Sequence, residues 1–428
     1  MSENLREQPS EAARDEGRDF PFQGMFIVFS VISLLLIGAF YGYRYYRNVR
    51  NGVSQNSLSA AVIRDNAVVE SGDGLYSVNG IRIFRGSCDN NYVLYSGLLW
   101  RIMQVNGDNT VRLIAAQDFN QLPCLRGERG FTDSQLHDWL NDRFLSQLDQ
   151  SCLSTTRYYG DQIASISACI TEDIAESTVS LCDVASWLNS VISGHTYLSD
   201  LNSSFWLANT SDAGAYRSAG GGLTVSDDSR FYGIRPVITL KADTPLVSGT
   251  GRKDDPYRCQ KEAVGLGSEI RLGSDSWIVY GVDENCYRLI RKQALEEPLA
   301  FGLKGDSYDP DDQDTLAHYL NNEYLSSLPY QDLLREADWS CGDYAKELSG
   351  LAGTTLRCKV ALASLLDIKL SQAEDYWLIT TSEKYAYTYG KQAELFRPTL
   401  LKNVVPAIAI SRDIRLKLNA DGSYEAGE

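Results

Sequence analysis

The chain repeats itself. The stretch YVLYSGLLWRIMQVNGDNTVRLI, from Tyr92 to Ile114, returns about 175 residues later as SEIRLGSDSWIVYGVDENCYRLI, from Ser268 to Ile290. Trp100 aligns with Trp277, and Arg112-Leu113-Ile114 with Arg288-Leu289-Ile290. Each stretch alternates, is rich in β-branched residues and is split by an Asn/Asp/Gly turn, so each predicts a hairpin. Three more landmarks come in the same order. Leu136, Trp139, Leu140, Phe144 and Leu148 have the spacing of Leu316, Tyr319, Leu320, Tyr324 and Leu328, which predicts one amphipathic helix per copy, with Ser134 and Asp314 as N-caps. FWLANTSDAGAY at Phe205 matches YWLITTSEKYAY at Tyr376, and YGIRPVITLK at Tyr232 matches NVVPAIAISR at Asn403. Such a period is far longer than a solenoid repeat, so the expectation is two whole domains, 74–259 and 260–428. Strands before and after a helix in each copy predict an α+β fold.

Ahead of the repeats, 24 residues between Asp19 and Arg44 carry no charge. Their apolar part, Met25 to Tyr43, would span about 28 Å as a helix, close to the ~30 Å hydrocarbon layer. One transmembrane helix at 25–43 is expected, with 1–24 as a cytoplasmic tail and 44–73 as a small, polar stalk. The competing readings are a cleaved signal peptide, whose leader would be unusually long and acidic, and a buried core helix. Three arginines on each side leave the positive-inside rule silent. Nine cysteines without zinc-type spacing favour an oxidising compartment, which places the C-terminal domains extracytoplasmic. Cys152 and Cys169 are 17 residues apart, as are Cys341 and Cys358. A disulfide in each copy is therefore expected, each worth ~3 kcal/mol in the chain-entropy model; buried free thiols are the alternative.

The formal net charge of −16 argues against nucleic acid as a partner. No HExxH, GxSxG or GxxxxGK[ST] is present, and the three histidines nominate no catalytic group. The acids of GDSYDPDDQDT, from Gly305 to Thr315, lack an EF-hand pattern and read as a solvated loop before a helix, with calcium as the alternative. No catalytic residue, cofactor or metal is nominated, and the chain is expected not to be an enzyme.

The first copy combines NNYVLYSGLLWRI, WLNDRFLSQL and GIRPVI between Gly74 and Tyr257. It resembles an uncharacterised domain of unknown function common in bacterial cell-surface proteins, often behind an N-terminal membrane anchor. The second copy is degenerate: it lacks the Arg after Trp277 and has Val404-Val405-Pro406 for Gly-Ile-Arg-Pro. The end of the first copy also resembles the C-type-lectin-like fold shared with formylglycine-generating enzymes. In that fold the Gly-rich excursion Ser218 to Phe231 lies near the ligand face. This implies Trp206, Asn209, Tyr216, Asp227 and Arg235 as ligand-binding residues. The plainer reading makes Trp100, Trp206, Trp277 and Trp377 core and puts Arg101 and Arg235 in structural ion pairs. The expected function is a membrane-anchored surface protein whose tandem ectodomains bind a glycan or protein ligand. A structural component of an envelope or secretion assembly is the alternative, and a cryptic enzyme a more remote one.

Overall fold

The computed structural model describes residues 54–159, 174–199, 203–260, 264–344, 346 and 354–426. Within them the same strand pairings occur twice. In the first half, Leu98–Val105 pairs with Tyr92–Tyr95 and Val111–Ala115. Val111–Ala115 pairs in turn with Val237–Leu240, which also receives Leu153–Ser154 and Val179–Ser180. In the second half, Asp275–Val282 pairs with Glu269–Leu272 and Cys286–Arg291. Cys286–Arg291 pairs with Pro406–Ser411, which receives Leu334–Arg335 and Val360–Leu362. A last short strand closes each half in parallel: Tyr257–Arg258 on Val93 and Leu94, Tyr424–Ala426 on Ile270 and Arg271. Even a register shift is shared, between Ile102 and Gln104 and between Val279 and Gly281.

Each amphipathic stretch is helical but irregular. Gln135–Trp139 is α-helix, Leu140–Phe144 a π-turn and Leu145–Gln147 a 3₁₀ turn. Leu316–Tyr319, Leu320–Tyr324 and Leu325–Ser327 take the same course, with a π-turn in the middle. Ser134 caps the first helix as expected, accepting from the His137 amide. In the second, Thr315 is the cap, because Asp314 pairs with Lys304 instead. The irregularity has a chemical partner in each half. The Asn141 amide donates to the carbonyls of His137 and Val179 and accepts from the Val179 amide. Asn321 does the same with Ala317 and Val360. Each asparagine thus acts as one extra rung of the sheet and ties the helical turn to the strand.

The α+β expectation is corrected to a mainly β fold, 42% strand against 14% helix. Outside the short helices, most of the buried apolar residues belong to strands and fill sheet faces rather than helix stripes. Trp100, Trp206, Trp277 and Trp377 are all fully buried. Part of the expected stalk is also folded. Ser57 caps a helix, Leu58–Asp65, whose Leu58, Ala61 and Val62 are buried and whose Leu58 amide bonds Thr244.

The expected membrane helix, 25–43, lies outside the described residues. Among the described residues no helix is long and apolar enough to cross a membrane, and the longest α-helix has eight residues. The single-pass, extracytoplasmic assignment is withdrawn, because its other support, the disulfides, also fails. Cys341 and Cys358 lie on antiparallel strands in which Cys341 faces Thr354 and Cys358 faces Ala337. Four registers separate them, roughly 13 Å, about twice the reach of a disulfide. Their thiols lie on the carbonyls of Thr354 and Val360. Cys169 lies outside the described residues, so the Cys152–Cys169 pairing does too; Cys152 is free.

The two halves share one apolar core and belong to one compact unit, 53–428. They are keyed by the segment Ala363 to Leu370. The Asn120 amide donates to the carbonyls of Leu365 and Asp367, and Trp139 Nε1 donates to that of Leu366 at 2.9 Å. The Lys369 amide bonds the Phe119 carbonyl. The Lys369 side chain is 4% exposed, and its Nζ donates to the carbonyls of Ser364, Leu365 and Asp367 at 2.6, 3.3 and 2.6 Å. Replacing Lys369 with Met keeps the length and removes the donors, taking the lysine bond from the Ser364 carbonyl and leaving those of Leu365 and Asp367 with Asn120 alone. The expected cost is about 2–4 kcal/mol, read as a lower urea midpoint, with faster amide exchange concentrated in 363–370; an unchanged midpoint would refute the role given to this lysine.

Candidate functional site

Four of the five residues expected at a ligand face are interior. Trp206 is fully buried and its Nε1 bonds the Leu122 carbonyl. Its repeat partner Trp377 bonds the Leu299 carbonyl in the same way, which marks both as fold elements. Asn209 is fully buried, accepting from the Val184 amide and donating to the Tyr159 carbonyl. Tyr216 is 5% exposed. Arg235 is 1% exposed, donates to the carbonyls of Ala115 and Leu198, and lies 4.9 Å from the Phe205 ring. Burial pushes its pKa down to about 10. Arg101 likewise binds Asn91, Tyr92 and the Cys88 carbonyl and stacks on Tyr92 and Tyr197. Asp227 is exposed, and its carboxylate takes hydrogen bonds from the Ser229 side chain and amide, which hold its pKa below the ordinary value. The Gly-rich stretch is a plain hairpin, Gly214–Ala219 with Gly222–Ser226, turned through Gly220 and Gly221 at positive φ.

A concave site lies elsewhere, at the junction of the halves. A cavity of about 190 Å³ is lined by Trp139, Arg143, Phe144 and Gln147 from the first half and by eleven residues of the second, among them Tyr280, Asp283, Arg288, Asp338, Trp339 and Asp367. Both shared irregularities build it. The π-turn carries Arg143 and Phe144 to its wall. The register shift in the second half falls at Tyr280, the residue without a partner in the ladder between Val279 and Gly281; such a bulge re-aims a side chain. The seam segment supplies Leu366, Asp367 and Ile368.

The site's chemistry is mixed. Arg288 Nε donates to Asp283 Oδ2 at 2.7 Å, and its guanidinium lies 5.0 Å from the centre of the Trp339 ring. Burial opposes the Arg288 charge, but Tyr280 and Asp283 beside it outweigh burial and raise its pKa above the ordinary value. Tyr280 is 3% exposed; burial lifts its phenol well above its usual range. Its hydroxyl has no hydrogen-bond partner at normal geometry, though Arg288 is close enough to interact with it. Asp338 sits at the mouth, 3.8 Å from Arg357. Asp367 accepts from the Ser364 amide with one oxygen. Both tryptophans spend their N–H groups on carbonyls, Trp139 on Leu366 and Trp339 on Cys358, so they offer the cavity only ring surface.

In the first half the corresponding place is filled. Arg112, the repeat partner of Arg288, is 4% exposed, binding Asp183 and Ser186 at 2.9 Å each. Those two residues belong to the capped helix Val184–Ser190. In the second half, among the described residues, no helix comes after Leu362, and the open space remains. The site therefore belongs chiefly to the copy whose sequence departs from the surface-domain pattern. That pattern contains Trp100 and the helix but not Tyr280, Asp338 or Trp339, so matching to it could not find them. The repeat alignment offers one signal: Tyr280 stands where the first copy has Met103, a phenol in place of a thioether inside a strand.

The histidines lie apart from this cavity. His318 Nδ1 is 2.7 Å from the Pro310 carbonyl, and the His137 ring meets Phe131 edge-on. His195 Nε2 is 2.8 Å from Asp73 Oδ1. Among the described residues no cluster of His, Cys, Asp or Glu could hold a metal ion. Compared with protein-family models, curated proteins and solved structures, the chain matches none; the surface-domain and C-type-lectin-like resemblances gain no support there, and the lectin-like assignment is dropped. The thiols and the histidine pair can both be tested in solution. No peptide joining Cys341 to Cys358 by a disulfide should appear in the mass spectrum of the unreduced protein; finding one would contradict the strand register. The hydrogen bond that the His195 ring donates to Asp73 raises the His195 pKa above 6.5, so its NMR titration should fall to the ordinary midpoint in Asp73→Asn. A raised native pKa adds stability at pH below the unfolded value, and that stability is lost as pH rises through the native one.

Proposed function

We propose that this is a non-enzymatic recognition protein whose ligand, a glycan or a protein segment, is held in the cavity between its halves. The observation that supports this reading best is the set of groups around Tyr280: a buried phenol with no hydrogen-bond partner at normal geometry, two guanidiniums, three carboxylates and two indole faces converging on one recess. A few placed polar groups within aromatic walls are the usual make-up of a binding pocket. Leaving a buried hydroxyl without a partner costs roughly 1–3 kcal/mol, and a bound ligand would recover it. Nothing in this recess pairs a nucleophile with a base, so its chemistry favours binding over turnover.

The reading makes the second half the binding half and gives the first a supporting role through Trp139, Arg143 and Gln147. Binding should be followed by the fluorescence of the full chain, since Trp139 and Trp339 both line the cavity. Once a glycan or peptide array has supplied a ligand, Asp338→Asn should weaken it about 10-fold or more, while Asp227→Asn on the first-half hairpin should leave affinity unchanged. The reverse pattern would move the site to the Gly-rich hairpin and overturn the proposal.

A further inference from the structure

A second, larger space adjoins the cavity. A groove of about 1030 Å³ runs along the junction of the halves, past Ser96 and Gly97 on one side and Gly267, Ser268 and Glu284 on the other. Gln147 and Asp283 line both spaces, so cavity and groove meet at these two side chains. Gln147 also bridges the halves, its Oε1 accepting from the Val282 amide at 2.7 Å.

From this geometry we infer that the ligand is a neutral oligosaccharide, with one sugar ring in the cavity and the next units along the groove. The inference rests on the seam-site reading above and gives its ligand a chemical class. Size is the first argument. At about 190 Å³ the cavity is smaller than the ~300–1,000 Å³ of pockets that enclose a whole drug-sized molecule. It holds a single ring or side chain, and anything longer must continue into the groove.

Charge is the second argument. Arg143 and Arg288 face Asp283, Asp338 and Asp367 across the same small space. A cationic side chain would meet the two guanidiniums, and an anion the three carboxylates. Hydroxyl groups both donate and accept, so a polyhydroxylated ring satisfies both signs at once. The ring surfaces of Trp139 and Trp339 suit the C–H faces of such a ring. The groove repeats the theme, because its charges are largely engaged already. Glu269 is paired with Lys292 at 2.7 Å, Asp421 with Arg271, and Arg412 donates to the carbonyls of Asp283 and Glu284. The surface left for a ligand is polar and close to neutral.

The test uses the full chain, calorimetry and three kinds of probe: neutral gluco- and chito-oligosaccharides of one to six units, hexaarginine, and a sulfated heparin hexasaccharide. At least one neutral series should bind, with affinity rising about 10-fold or more from one unit to three and changing little with salt. Tyr280→Phe removes only the orphan hydroxyl; it should weaken the trisaccharide about 10-fold and leave the melting temperature the same or higher. Glu284→Trp, which crowds the groove, should abolish the gain with length and spare the single sugar. Hexaarginine binding that Asp338→Asn weakens, or heparin binding that it strengthens, with no neutral sugar bound, would overturn the neutral-sugar class and leave the seam site standing. Sugar binding indifferent to both Tyr280→Phe and Asp338→Asn would overturn the site as well, and no binding of any neutral series overturns the inference.

Discussion

A lysine ammonium enclosed by three carbonyl oxygens holds the two halves as one body. Burying a cation is expensive, and Lys369 offsets that cost only because its donors all find acceptors within one tight loop. The loop is shaped by its own side chain. Two of those carbonyls, Leu365 and Asp367, also accept from Asn120 of the other half, and the carbonyl of Leu366 between them accepts from Trp139. The same segment lays Leu366, Asp367 and Ile368 along the cavity. The same few hydrogen bonds thus serve both the junction of the halves and the form of the candidate site.

The duplication explains how such a site can arise without new architecture. Both halves retain the asparagine hook, the π-turn and the register shift, since each secures strand-to-helix contact that the sheet needs. The halves diverge just past the strand hooked by the asparagine. In the first half, the residues after Val179 form a capped helix, and Asp183 with Ser186 neutralises Arg112. In the second half, the residues after Val360 turn into the seam loop, and Asp367 comes seven positions later, as Ser186 does after Val179. The arginine is kept while its helical cover is missing. Arg288 then takes Asp283 and the Trp339 face as partners, and a recess stays open beside it.

How much of this could be read from the sequence depended on whether the signal was local. Hairpins at Tyr92–Ile114 and Ser268–Ile290 and the stripe from Leu136 to Leu148 are periodic patterns over neighbouring residues, and they fold accordingly. The α+β reading overweighted that stripe, because amphipathic spacing does not distinguish a regular helix from α, π and 3₁₀ turns in succession. Equal cysteine spacing misled for a related reason: 17 residues of sequence say nothing about register, and the hairpin offsets Cys341 from Cys358 by four positions. The cavity was illegible because its walls come from both copies. Trp139 reads as an ordinary core residue of its own helix, and at 5% exposure it is buried. Only the docking of the second half turns its indole toward Leu366 and makes it a wall.

The fate of Trp206 and Arg235 shows why conspicuous residues were poor guides. A tryptophan in an alternating strand and an arginine before a proline look like recognition groups, yet both have all-internal tasks. Arg235 satisfies the carbonyls of Ala115 and Leu198 where the sheet meets the 3₁₀ turn at Tyr197–Ser199. An arginine so placed is bound to backbone, and its motif persists for the sake of the fold. Tyr280 is the opposite case. It sits in an unremarkable strand, and its distinction is the bulge that leaves it out of the ladder and on the wall of the recess. In a protein built from two copies of one unit, shared motif residues are bound to report what both copies need to fold. The chemistry peculiar to this chain is better sought where the copies stop agreeing, and in this structure those positions converge on the seam.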